Sequence, residues 1–182
     1  QIAQALSDPD SKVQSGVTLN STITWTLQSF TSSSAQFRVD IANASPLSST
    51  RLVSFGVDNV DPNLTSASAN SGWYATRNTT FPGFQTVELC VWDGQNCSGG
   101  GNQGVYGGGS ESLLLTLGFS PGSLRQLTLE NFYFRWQTAT GSFTREACVG
   151  TCGSTPVPEP ATLGLLGLGL LGTAALRRRK TA

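Results

Sequence analysis

The strongest constraint in this chain is an alternation of apolar and polar residues with a period of two. In residues 17–29, VTLNSTITWTLQS, the residues Val17, Leu19, Ile23, Trp25 and Leu27 fall on one side, and Thr, Asn and Ser fill the other. The run AQFRVDIAN repeats this, with Ala35, Phe37, Val39 and Ile41 set against Gln36, Arg38 and Asp40. Successive side chains of a strand point to opposite faces, so such runs are half-buried strands. Val53, Phe55 and Val57 continue the series, as do Val87, Leu89 and Val91, and then Leu113, Leu115, Leu117 and Phe119. In LTLENFYFRW the apolar parity slips from Leu127 and Leu129 to Phe132, Phe134 and Trp136, which places a bulge near Glu130-Asn131. Helical periodicity is absent before residue 160. The fold expected is an all-β antiparallel sandwich, jelly-roll-like or Ig-like, followed by a C-terminal apolar helix.

The expected organisation is a sandwich over 1–147, a Cys- and Pro-rich linker over 148–160, and an apolar helix with a basic tail over 161–182. Two loops are long, at 59–80 and at 93–110; the second, DGQNCSGGGNQGVYGGGS, stays mobile unless something pins it. After Gly141 the β pattern fades. The chain opens at Gln1 and contains no methionine, which reads as a mature form whose N-terminal signal has been removed.

Charge separates the body from the tail. Of 11 basic residues, Arg177, Arg178, Arg179 and Lys180 sit at the extreme end, and the body before Pro158 is mildly acidic. Nucleic acid is not an expected partner, because no basic stripe crosses the body. Histidine is absent, which removes Ser-His and Cys-His nucleophiles and imidazole-bound metals. Glu88 and Glu130 could form a two-carboxylate glycosidase pair, but each lies on the polar side of its run, where a solvated carboxylate is expected. The chain is read as a non-enzyme without cofactors.

Four cysteines form two close pairs, Cys90/Cys97 and Cys148/Cys152. Three pairings are possible, and local disulfides are the expected ones in an exported protein; a zinc site of four thiolates is the alternative. Asp58, Asn59, Asp61 and Asn63 offer oxygen ligands of the kind calcium takes, though the same residues form turns. Trp73, Tyr74, Trp92 and Tyr106 lie off the core pattern and are candidate sugar-stacking rings, with packing beneath loops as the alternative. Asn20, Asn43, Asn63, Asn78 and Asn96 each begin an N-x-S/T sequence, which marks a polar exported surface.

The chain closes on VPEPATLGLLGLGLLGTAALRRRK. Residues 161–176 carry no charge and as a helix would span about 24 Å, short of the ~30 Å hydrocarbon layer. The proline spacer before them and the arginines after them nevertheless favour a membrane anchor whose basic end stays cytoplasmic. The sandwich would then lie outside the inner membrane, where disulfides form.

This ending resembles the PEP-CTERM sorting signal of Gram-negative bacteria: a Pro-Glu-Pro motif at Pro158, Glu159 and Pro160, an apolar helix, and a basic stop at Arg177, Arg178, Arg179 and Lys180. The resemblance implies transient insertion in the inner membrane, removal of the tail by an exosortase, and delivery to the cell surface or extracellular matrix. The stretches VSFGVDNVDPN, NTTFPGFQTVELCVWDGQNCSGGGNQGV and LTLENFYFRWQ are similar to the cistern family of PEP-CTERM proteins. That similarity makes the Cys90/Cys97 pair and the glycine loop family features. The expected function is a structural or adhesive role in a surface or biofilm matrix, without catalysis. The alternative is a carbohydrate-binding module for matrix exopolysaccharide.

Overall fold

The computed structural model describes residues 3–7, 13–14, 17–83 and 86–149, all within one compact unit, Gln1–Cys152. The sorting motif, the apolar segment and Cys152 lie outside the described residues, as does the side chain of Cys148. The described strands are β1 (Ala3–Ser7), β2 (Val13–Gln14), β3 (Val17–Thr18), β4 (Ser21–Phe30), β5 (Ser34–Asn43), β6 (Arg51–Asp61), β7 (Ser66–Ala69), β8 (Trp73–Thr80), β9 (Thr86–Asp93), β10 (Val105–Tyr106), β11 (Ser110–Gly118), β12 (Thr128–Thr138) and β13 (Gly141–Val149).

All pairings are antiparallel, and the strand order is β7-β11-β5-β4-β1-β13-β12-β6-β9-β8, with β10 beside β6 and β2 beside β3. Its two end strands, β7 and β8, are consecutive in sequence and joined by a tight turn in which the Trp73 amide donates to Asn70 O at 3.0 Å. The order therefore folds back on itself, β7-β11-β5-β4 facing β13-β12-β6-β9-β8, and β1 pairs with both β4 and β13. The core lies between the two layers. Trp25 of the first packs edge-on against Phe55 and Phe132 of the second, with ring centroids 5.8 and 6.0 Å apart. Edge-to-face rings at this spacing add to the gain from burial alone.

The alternating residues of β4, β5 and β11 fill this core as expected. Four details depart from the sequence expectation. Residues 59–80 are mostly strand: Asp61 ends β6, and β7 and β8 follow. Their Ser, Thr and Asn composition hides edge strands that bury little. Likewise β13 continues the sheet past Gly141, beside β12. Against β6, β12 stays in register through residues 130–132, and the register shift comes at Arg135/Trp136, where Ser54 and Leu52 are the successive partners and Val53 is the extra residue. Leu52, three residues before Phe55, thereby replaces Val53 in the core. At the expected place, Asn131 instead adopts a left-handed backbone, φ 56°, so that Leu127 and Leu129 reach the same core as Phe132 and Trp136.

Asn43 closes one end of the sandwich. It is 1% exposed, and its amide donates to Thr50 O at 3.2 Å and Val105 O at 2.8 Å. Its Oδ1 accepts from the Ser45 amide at 3.1 Å and the Ser21 hydroxyl at 3.3 Å, and Ser21 Oγ accepts from Trp136 Nε1 at 2.9 Å. The backbone of Asn43 pairs with Gly108 and Gly109. The side chain thus links β5 directly to β4, β10 and the 44–50 loop, and to β12 through Ser21. It cannot also carry a glycan, so Asn43 drops out of the candidate acceptor positions. Replacing Asn43 by Ala takes the side-chain donor from the Val105 and Thr50 carbonyls, of which Thr50 O keeps the Gly107 amide, and takes the acceptor from the Ser45 amide and the Ser21 hydroxyl; it should cost about 3 kcal/mol, measured by urea unfolding. The same change at exposed Asn96 should cost well under half of that.

Candidate functional site: an aromatic pair beside a pinned glycine loop

Strand β6 is buried on both faces. One face meets the core through Leu52, Phe55 and Val57; the other carries Ser54 and Gly56. Phe81 lies over Gly56, where an added Cβ would meet its ring at 3.1 Å, so this position requires glycine unless the ring moves. Phe81, Val87, Cys90, Cys97 and Tyr133 form a second, smaller cluster there, with Trp92 packed at its rim.

The glycine-rich loop completes that cover. Cys90 and Cys97 form a disulfide, as one of the local pairings required. Ser54 Oγ donates to Cys97 O at 2.8 Å, and Arg135 Nε donates to Ser98 O at 2.7 Å. Arg51 Nη1 holds Gly101 O at 2.7 Å and Gln103 O at 3.2 Å, and Asp93 accepts from the Gly104 amide at 2.7 Å. Gly104, at φ 102°, passes so close to β6 that a Cβ would stand 2.7 Å from Leu52 O. A loop that composition marks as mobile is therefore pinned along its length. Burial lowers the pKa of the Arg135 guanidinium beneath the loop. Burial, then the carboxylates of Asp58 and Glu146, raises that of the Tyr133 hydroxyl.

The four candidate rings separate. Trp73 is 2% exposed, belongs to the main core, and donates Nε1 to Glu111 at 2.9 Å. It is not a surface ring; as the first residue of β8 it shares the face of Ala75, which pairs with core Val91, and is turned inward. Tyr74 and Trp92 are cross-strand partners and stack, with centroids 5.9 Å apart and planes at 25°. Tyr74 is 56% exposed and presents the outer surface of the pair. Tyr106, 47% exposed, sits under the Arg51 guanidinium at 5.8 Å and donates its hydroxyl to Asn102 O. Tyr74, Trp92 and Tyr106 all lie toward the β6 end marked by Arg51–Ser54.

The remaining candidates are spread out. Asp58, Asn59 and Asp61 belong to β6 rather than to a turn, and Asn63 follows the cis Asp61–Pro62 bond. Alternation along the strand keeps them from converging, and Asn59 donates to Glu130 at 2.8 Å. Among the described residues, no group of three His, Cys, Asp or Glu side chains is placed to hold a metal ion. Glu88 accepts from the Val60 amide at 2.5 Å, so both carboxylates of the suggested pair are tied to β6 from opposite sides, on β9 and β12. Asn20, Asn63, Asn78 and Asn96 remain at least partly exposed. Sequence reasoning overlooked Ser54, Arg51 and Arg135, whose only signal is polarity within otherwise apolar strands.

Removing the loop's covalent tie in the double variant Cys90→Ala/Cys97→Ala should destabilise the protein by about 2–3 kcal/mol in urea unfolding. Near-ultraviolet circular dichroism should change through Trp92 and Tyr133, while the far-ultraviolet β signal is kept.

No curated protein matches the chain. An uncharacterized protein from Nocardia farcinica, described as having an immunoglobulin-like fold, aligns at 16% identity and TM-score 0.39, over 67% of this chain and 81% of its own. The GAE domain of yeast GGA1 aligns at 10% identity and TM-score 0.35, over 71% of this chain and 88% of its own. Neither similarity assigns a function. The tail is more specific: residues 156–180 match the PEP-CTERM protein-sorting motif. The chain thus carries, beyond a disulfide-bonded β-sandwich, the motif that marks an exported protein processed by an exosortase.

Proposed function

We propose that this protein is delivered to the cell surface or extracellular matrix of a Gram-negative bacterium, where the sandwich has a structural or adhesive, non-catalytic role. The observation that carries the reading is the sorting motif at 156–180, placed directly after a compact unit held by a disulfide. Before processing, the apolar residues 161–176 hold the chain in the inner membrane, and Arg177–Lys180 keep its end cytoplasmic. An exosortase then removes the segment near Pro158–Pro160. Similarity of the body to the cistern group belongs to the same reading.

Protein recovered from the cell surface should have an intact mass lacking the residues beyond about 158, and deletion of the exosortase should trap the full-length chain in the membrane. Unchanged delivery without the exosortase would remove this reading.

A second reading, binding of matrix exopolysaccharide, is supported by the stacked Tyr74–Trp92 pair, whose outer ring is free to meet a pyranose face. Trp73 takes no part in it. Tyr74→Ala should weaken binding of the purified polysaccharide up to about tenfold, the worth of one good ring contact, in isothermal titration. Affinity unchanged by Tyr74→Ala would count against the site.

A further inference from the structure

The end of the sandwich away from Tyr74 and the glycine loop holds a groove of about 740 Å³. Leu27, Phe30, Phe37, Leu127 and Leu129 form its apolar lining, and Arg125 and Glu130 lie at it as well. Its origin lies in the strand pairing. In the described residues, β1 pairs with β4 only as far as Ala3↔Thr26, and the last β12–β13 pair is Phe132↔Ala147. Leu27–Phe30 and Leu127–Glu130 lie beyond those described pairs, where the groove is found. A register shift between Leu27 and Ser29 makes Gln28 the extra residue, so Leu27 and Phe30 both turn to the core side. Phe30 lines the groove and is 42% exposed. An apolar groove of this kind marks a contact surface.

The direction of the chain indicates what meets it. Strand β13 runs toward this same end and stops at Val149, past the partner of Phe132. Residues 150–160 separate it from the apolar segment that starts at Ala161, a reach of at most about 38 Å. If that segment is inserted, as the proposed sorting requires, the groove is tethered within a few nanometres of the bilayer. Tethering raises the effective concentration of lipid at the groove to a level at which even a weak apolar contact is populated.

We propose that this groove is the membrane-facing surface of the unprocessed protein and that it takes the acyl chains of bilayer phospholipid around Phe30. The inference rests on the sorting reading above. Its physical content is that the sandwich stands on the membrane by one end and turns Tyr74, Tyr106 and the glycine loop away from it. Cutting the tail would remove the tether, and the weak contact would then release the sandwich.

The test uses the full-length chain reconstituted into phosphatidylcholine vesicles whose acyl chains carry a photoactivatable diazirine. Crosslinks mapped by peptide mass are expected on the segments holding Phe30 and Leu127–Glu130, in addition to residues 161–176. Phe30→Ser should reduce the former about tenfold, as the loss of one partly buried aromatic side chain implies. It should leave crosslinks to 161–176 and the far-ultraviolet β signal unchanged, whereas Tyr74→Ser at the other end should leave both sets of crosslinks unchanged. Crosslinks confined to 161–176, or ectodomain crosslinks indifferent to Phe30→Ser, would overturn the groove's role and leave the sorting reading standing. Absence of crosslinks to 161–176 would instead overturn the sorting reading on which the groove's role depends.

Discussion

Strand β6 is enclosed on both faces, and much of the second layer follows from that requirement. A strand in a two-layer sandwich normally turns one face to water, so the outer side chains of β6 need a cover that the other sheet cannot supply. Two loops provide it. Phe81 comes down on Gly56, and the disulfide loop comes down on Ser54. Each loop needs its own polar groups satisfied once water is excluded, which explains why Arg51, Arg135 and Asp93 point at backbone atoms rather than at one another. The glycines allow the loop to lie flat against the sheet, and the cystine and arginines then hold it there.

The outcome is a molecule with two unlike ends. At one, Asn43 gathers five segments, the pinned loop forms a firm surface, and Tyr74 and Tyr106 stand exposed beside it. At the other, an apolar groove lies beside Leu27–Phe30 and Leu127–Glu130, and the described part of β13 ends at Val149. Among the described residues, β1 joins the two layers and pairs with β4 only as far as Thr26.

The all-β class and most of the main core were legible because period-two burial is a local property. Leu19, Ile23, Trp25, Val39, Ile41, Leu113 and Leu115 are all buried where the alternation puts them. Edge strands were not legible. Residues Ser66–Ala69 and Trp73–Thr80 bury too little to alternate strongly, and β13 has the same weakness. Bulges were harder still. The parity slip near residue 130 was visible, but it is absorbed by the left-handed Asn131, whereas the register shift against β6 falls at Val53 and depends on the pairing of two strands distant in sequence.

Local patterns along the chain specify the strands that face the core, make Cys90 and Cys97 candidates for a local disulfide, and carry the sorting motif at 156–180, because each depends on residues close together in sequence. Only the tertiary structure decided that Trp73 is core while Tyr74 is surface, that the glycine loop is held rather than free, and that Asn43 is a buried junction instead of a glycan acceptor. Those outcomes depend on partners 37 to 62 positions away, such as Glu111, Arg51, Arg135 and Val105, and no local pattern records which distant group will satisfy a buried polar atom.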